Sequence, residues 1–208
     1  LFKKTVTIGG PNMTVNWGII GTGDIANTFA ADCGFRNSRD SESRLFNPDL
    51  AGGALLDVGI YPVALTNLIV DSSVVSVLAD GNIGPTAVDE DNASLLKFAS
   101  GTLAQLASSI RTNLNDRAYI YGTKGRIEIP EFWQAKRAIL NTEKGQEVFE
   151  DDRKSQGYNY EAETVSQMLV EENYEQAEKI LEKNLDNIKL LDQIREEINL
   201  KYPFEASE

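Results

Sequence analysis

Histidine is absent from this chain, and cysteine occurs once, at Cys33. The first absence removes the commonest general base and the commonest metal ligand together. The second excludes an internal disulfide and argues against a thiolate metal site, so no metal ligand is assigned. Any proton transfer must fall to Tyr, Lys, Asp or Glu. Long hydrophobic runs are missing too: nothing approaches the ~18 apolar residues that read as a membrane span. The opening Leu1-Phe-Lys-Lys is interrupted by Thr5, Thr7 and a Gly9-Gly-Pro-Asn turn before an apolar leader could form. A cytoplasmic protein with no membrane partner is expected. Positive charge is scarce, with 20 Lys and Arg against 32 Asp and Glu, for a net charge of −12. That balance argues against nucleic acid, whose phosphates need a basic footprint. Residues 147–208 hold 17 acidic and 7 basic side chains and so carry −10 of the total, the pattern of a solvated helical face.

What is present suits a globular chain. Its 208 residues, 41% of them hydrophobic, are ample for one domain and short for two. Residues 1–12 precede Met13 and carry no assignable pattern. Residues 15–20 form a short apolar run that ends in Gly21-Thr22-Gly23-Asp24-Ile25-Ala26, and residues 24–31 have helical composition. This reads as strand, tight turn and helix. It fits the G-x-G-x-x-[G/A] fingerprint, in which the glycines permit the turn and a pyrophosphate approach, and the helix N-terminus offers free N–H groups. A complete dinucleotide unit would continue to a second strand with an acidic residue about 20 positions on. Residues 34–49 are instead polar and turn-rich with no β-branched run. Asp40 and Glu42 stand near that spacing, but no strand precedes them. With roughly 30 residues per βαβ unit, a lone strand and helix cannot close a nucleotide domain, and the segment 13–33 is expected to be a remnant of a Rossmann-type domain.

From residue 74 the pattern changes. Strand-like runs begin at Val74, Ala93, Thr102, Arg117, Arg126, Lys136 and Glu147, punctuated by turns at Ser100-Gly101, Thr123-Lys-Gly125 and Glu143-Lys-Gly145. Gly122-Thr-Lys-Gly125 lacks the spacing of a phosphate loop and reads as a hairpin turn. The tail is helical, one element over 162–169 and a second on which Ile180/Leu181, Leu185, Ile188, Leu191, Ile194 and Ile198 recur at three- and four-residue steps. The expected fold is α+β: a mostly antiparallel open sheet with helices on one face over residues 34–208, plus the 13–33 remnant.

The segment Ala51-Gly-Gly-Ala-Leu-Leu-Asp57-Val-Gly-Ile-Tyr61-Pro sets a carboxylate and a phenol four residues apart behind a glycine pair. On a helix both lie on one face. An aspartate near a helix start also serves as a cap, and a tyrosine before proline as packing. Together with Gly21–Ala26, Asp89-Glu-Asp-Asn, Ile127-Glu-Ile-Pro-Glu-Phe-Trp133 and Tyr202-Pro-Phe-Glu205, the segment resembles the Gfo/Idh/MocA family of nicotinamide-dependent oxidoreductases, especially its dihydrodiol dehydrogenase-like branch. The resemblance implies NAD or NADP as cofactor and hydride transfer to or from a sugar- or diol-like small molecule. It implies Tyr61 and Asp57 as catalytic residues, and Gly21, Thr22, Gly23, Asp24, Ile25, Ala26 and Arg44 as cofactor-binding residues. Trp133 would border the substrate. The family's lysine, carried in a Glu-Lys-Pro motif, has no counterpart in this sequence. A homodimer built through the open sheet face is expected. The alternative is a non-catalytic sheet module that oligomerises without cofactor.

Overall fold

A computed structural model of the chain describes residues 34–36, 43–152 and 158–207. The expected strand, turn and helix of residues 13–33, together with Asp40 and Glu42, lie outside the described residues.

Strand alternation organises the first layer. Along Asp89–Phe98 (β3), Asn92, Ser94, Leu96 and Phe98 are buried while Ala93, Leu95 and Lys97 are exposed, the period-two signature of a sheet with one covered face. Val74–Ile83 (β2) and Leu103–Ser109 (β4) flank β3 antiparallel, with Leu96 opposite Val77 and Ala104. A three-residue strand, Gly34–Arg36 (β1), adds to β4 in parallel and completes the order β1-β4-β3-β2. This corrects the reading of residues 34–49 as strandless. Three residues are too few to show a period, and only the free edge of β4 makes them a strand.

The rest of the β structure is a separate meander of Arg117–Gly122 (β5), Gly125–Pro130 (β6), Arg137–Thr142 (β7) and Gly145–Glu150 (β8), in sequential antiparallel order. The hairpin turns fall where expected, Gly122-Thr-Lys-Gly125 among them. The single open sheet that was expected is therefore two four-stranded sheets. The ladder is interrupted at Ser109, whose hydroxyl accepts from Arg111 N at 3.1 Å and Thr112 N at 2.7 Å. A local side-chain turn of this kind competes with strand continuation.

Ile60–Ile69 (α1) is entered through a π turn, Leu55–Gly59, and Tyr158–Val170 (α2) is followed by Tyr174–Glu197 (α3). Leu55 and Val63 from the first segment meet Leu190, Leu191 and Ile194 of α3 over Leu96, Phe98, Ala104 and Leu106 of the sheet. Both helices thus cover the same face of the first sheet, and burying such residues contributes roughly 1.5–3 kcal/mol each. On the other face Leu78 and Leu95, paired across β2 and β3, are 59% and 41% exposed. The stretch Pro48–Ile69 is long and apolar enough to cross a membrane by composition alone, but half of its apolar window is buried inside the fold. Leu55 and Val63 of this stretch are part of the core.

Candidate active site

The site begins with a hinge. Gly52 donates its N–H to Asn47 O at 3.0 Å and Gly53 to Leu45 O at 2.8 Å, so the turn Arg44–Phe46 is folded back onto the glycine pair. A Cβ on Gly52 would stand 2.6 Å from Leu45 O and 2.8 Å from Arg44 O. Gly53 has φ +122° and faces the Asp89 carboxylate, which a Cβ would meet at 2.1 Å. Close backbone approach at one position and left-handed backbone at the next explain why both are glycine. A small core of Leu45, Ala54, Val58, Val88 and Ile110 fixes the turn against the start of the helix.

Arg44 and Asp57 meet across this hinge. The Arg44 guanidinium donates to the Asp57 carboxylate as an ion pair, with the arginine side chain 62% and the aspartate 17% exposed. Asp57 lies in the π turn, an irregularity that is frequent at functional sites. It is not a cap: the residue preceding the turn, Ala54, makes no side-chain capping bond. The carboxylate at the helix start is supplied by Asp89 instead, which accepts from Leu55 N at 2.8 Å. The pair thus joins a largely buried carboxylate to an exposed arginine.

Tyr61 stands one turn further along, 39% exposed, its ring edge-on to Trp133 with centroids 6.4 Å apart at 72°. Trp133 is carried outward by the turn Phe132–Gln134, which the buried Phe132 anchors. Neither aromatic ring is core packing. The helical spacing of Asp57 and Tyr61 therefore yields two contacts on neighbouring turns, Arg44 with Asp57 and Tyr61 with Trp133. Gly21, Thr22, Gly23, Asp24, Ile25 and Ala26 lie outside the described residues. Among the described residues no cluster of three or more His, Cys, Asp or Glu could hold a metal ion.

Two residues whose role the sequence does not announce support this arrangement. Asp89 is fully buried, and burial pushes its carboxyl up to about 6 against the lowering effect of the Leu55 N–H and the Asn92 amide. Tyr202 donates its hydroxyl to Gly52 O at 2.7 Å; burial and the nearby Asp89 raise its phenol above the ordinary tyrosine value, opposed by Arg195. No sequence spacing links either residue to the glycine pair.

The model of the GFO/IDH/MocA C-terminal domain matches residues 18–128, a span that begins inside the 13–33 segment. The trans-1,2-dihydrobenzene-1,2-diol dehydrogenase of Xenopus tropicalis is 30% identical over 168 residues, covering 77% of this chain and 51% of the relative. The scyllo-inositol 2-dehydrogenase (NADP(+)) IolU of Bacillus subtilis is 25% identical over 160 residues, covering 76% and 48%. An aldose-aldose oxidoreductase of Caulobacter crescentus, solved with glycerol, shares the fold with a TM-score of 0.67 at 20% identity, over 80% of this chain and 51% of that one. The chain spans about half the length of these relatives. With more than half of its 208 residues inside the matched domain, the chain belongs to the GFO/IDH/MocA family.

Proposed function

We propose that this chain serves a nicotinamide-dependent oxidoreductase that transfers a hydride to or from the carbinol carbon of a sugar- or diol-like small molecule, with residues 34–208 as the substrate-facing domain and 13–33 as a partial nucleotide segment. The observation that carries this reading is an exposed phenol, Tyr61, beside Trp133 and one helical turn from the Arg44–Asp57 pair. The names of the relatives, dehydrogenases of a diol and an inositol, support the substrate class.

In oxidation the carbinol C–H bond breaks with its electron pair leaving as hydride, and the hydroxyl proton passes to the Tyr61 oxygen; reduction reverses both. NAD or NADP, when bound, supplies the hydride acceptor or donor. A donor set of one cation and one phenol on an open surface fits the reacting end of that cofactor, because the Arg44 side chain stays largely exposed while paired. Asp57 fixes Arg44 and orients substrate hydroxyls, and Trp133 offers an apolar edge to the carbon skeleton. A tyrosine ordinarily titrates near 10, so a cation close to Tyr61 is needed to favour its ionised form near neutrality.

Titration with NADH and NADPH, followed by cofactor fluorescence, tests the reading. The 208-residue chain is expected to bind weakly, because the 13–33 segment is shorter than the roughly 30 residues of one βαβ unit and too short to wall the adenosine half of a cofactor. Residues 34–208 joined to a complete nucleotide domain are expected to bind saturably and to oxidise diols or aldoses. Failure of the completed protein to bind either cofactor would favour the second reading, a cofactor-free module associating through its sheet. The exposed Leu78 and Leu95 support that association in either case.

A further inference from the structure

The Gly52–Gly53 hinge is gripped from two sides by residues distant in sequence. Beneath it, at the start of β3, Asp89 uses one carboxylate oxygen to accept from Leu55 N at 2.8 Å and from the Asn92 amide at 2.7 Å. The other oxygen, which has no hydrogen-bond partner, occupies the space a Gly53 side chain would need. On the far side Tyr202 donates to Gly52 O at 2.7 Å. Tyr202 is itself held: Arg195 lies over its ring at 5.6 Å, and its N–H donates to Glu205 at 2.9 Å, while Glu205 also pairs with Arg195. Upstream the hinge is bonded to the Arg44 turn through Asn47 O and Leu45 O. Downstream it opens directly into the π turn that carries Asp57. The placement of Arg44 relative to Asp57, thirteen residues apart, is therefore decided at the hinge.

We propose that Asp89 and Tyr202 are positioning residues, which lock the glycine hinge so that Arg44 meets Asp57 and the helix presents Tyr61. Its bearing on catalysis rests on the function proposed above; the geometry does not. A residue that only stabilised the domain would shift the unfolding midpoint and leave the folded molecule's Arg44–Asp57 pair unchanged. A positioning residue must change that pair in molecules that are still folded.

The test is heteronuclear NMR of the 208-residue chain, read at the Arg44 guanidinium and the Leu55 amide well below the unfolding transition. Asp57→Asn supplies the reference signal of an unpaired Arg44. Asp89→Ala and Tyr202→Phe are expected to move the Arg44 signals toward that reference. In Asp89→Ala the exchange protection of the Leu55 amide should fall at least about tenfold, the worth of one lost buried hydrogen bond. Asp89→Asn keeps the volume and an acceptor oxygen, and should restore both readouts. Should Asp89→Ala fail to fold, Tyr202→Phe decides, since it removes one hydroxyl and keeps the ring. Wild-type Arg44 signals in folded Tyr202→Phe, or an Asp89→Asn protein resembling folded Asp89→Ala, would overturn the proposal. Because no turnover is measured, a failed cofactor titration leaves this result standing, and the reverse holds equally.

Discussion

In the function proposed above, Tyr61 concentrates the chemistry in one hydroxyl. Replacing it with Phe keeps the ring that meets Trp133 and removes its ionisable group, so the fold and cofactor affinity should persist. With the nucleotide domain complete, turnover is expected to fall by about 10²–10⁴, the usual worth of a positioned acid or base; unchanged steady-state kinetics would return Tyr61 to packing. Asp89 carries a different consequence. Its carboxyl titrates near 6 in the folded protein against an ordinary 3.8, so between those values the folded state holds more protons than the unfolded one. The sign follows: stability falls as pH rises through this window and levels off above it. Urea midpoints measured near pH 4 and about pH 7.5 should show Asp89→Asn losing less stability across the interval than wild type. Equal losses in the two proteins would show that Asp89 does not titrate there.

At the scale of elements, α3 divides into two halves that its sequence does not distinguish. Leu190, Leu191 and Ile194 are buried against α1 and the sheet, whereas Leu181, Leu185 and Ile188, which continue the same helical periodicity, are more than half exposed. Periodicity reports an amphipathic face and says nothing of whether a neighbour covers it. The contrast is measurable by chemical denaturation. Ile194→Ala should cost about 2–5 kcal/mol, since it leaves a cavity between α3 and its neighbours, while Leu181→Ala should change stability by no more than about 0.5 kcal/mol. Comparable losses at the two positions would mean that the N-terminal half of α3 is covered in solution.

For the whole molecule the open side of the first sheet is the main consequence. Leu78 on β2 and its cross-strand partner Leu95 on β3 are exposed large apolar side chains, and adjoining apolar surface of this kind commonly marks an interaction site. We propose a homodimer that pairs these faces. Sedimentation at micromolar concentration is expected to give twice the 22.9 kDa chain mass, and Leu78→Glu combined with Leu95→Glu should give the monomer, because the two added charges per protomer cannot be buried on a two-fold interface without compensation. A wild-type protein that sediments as a monomer removes this interface.

The strands of the meander, the hairpin glycines and the helical tail were all legible in residue order, because each is written in local spacing: period two, period three to four, or a glycine at a turn. Tertiary structure alone decided the rest. It made a strand of Gly34–Arg36 by offering the edge of β4, and it split the β structure in two at the Ser109 turn. It also paired Arg44 with Asp57 across a hinge gripped by Asp89 and Tyr202. These outcomes depend on contacts between residues far apart in the chain, which leave no periodic trace in either partner. Asp89 and Tyr202 stood in motifs that carried the resemblance, but their partners, Leu55 N and Gly52 O, emerged only from the fold.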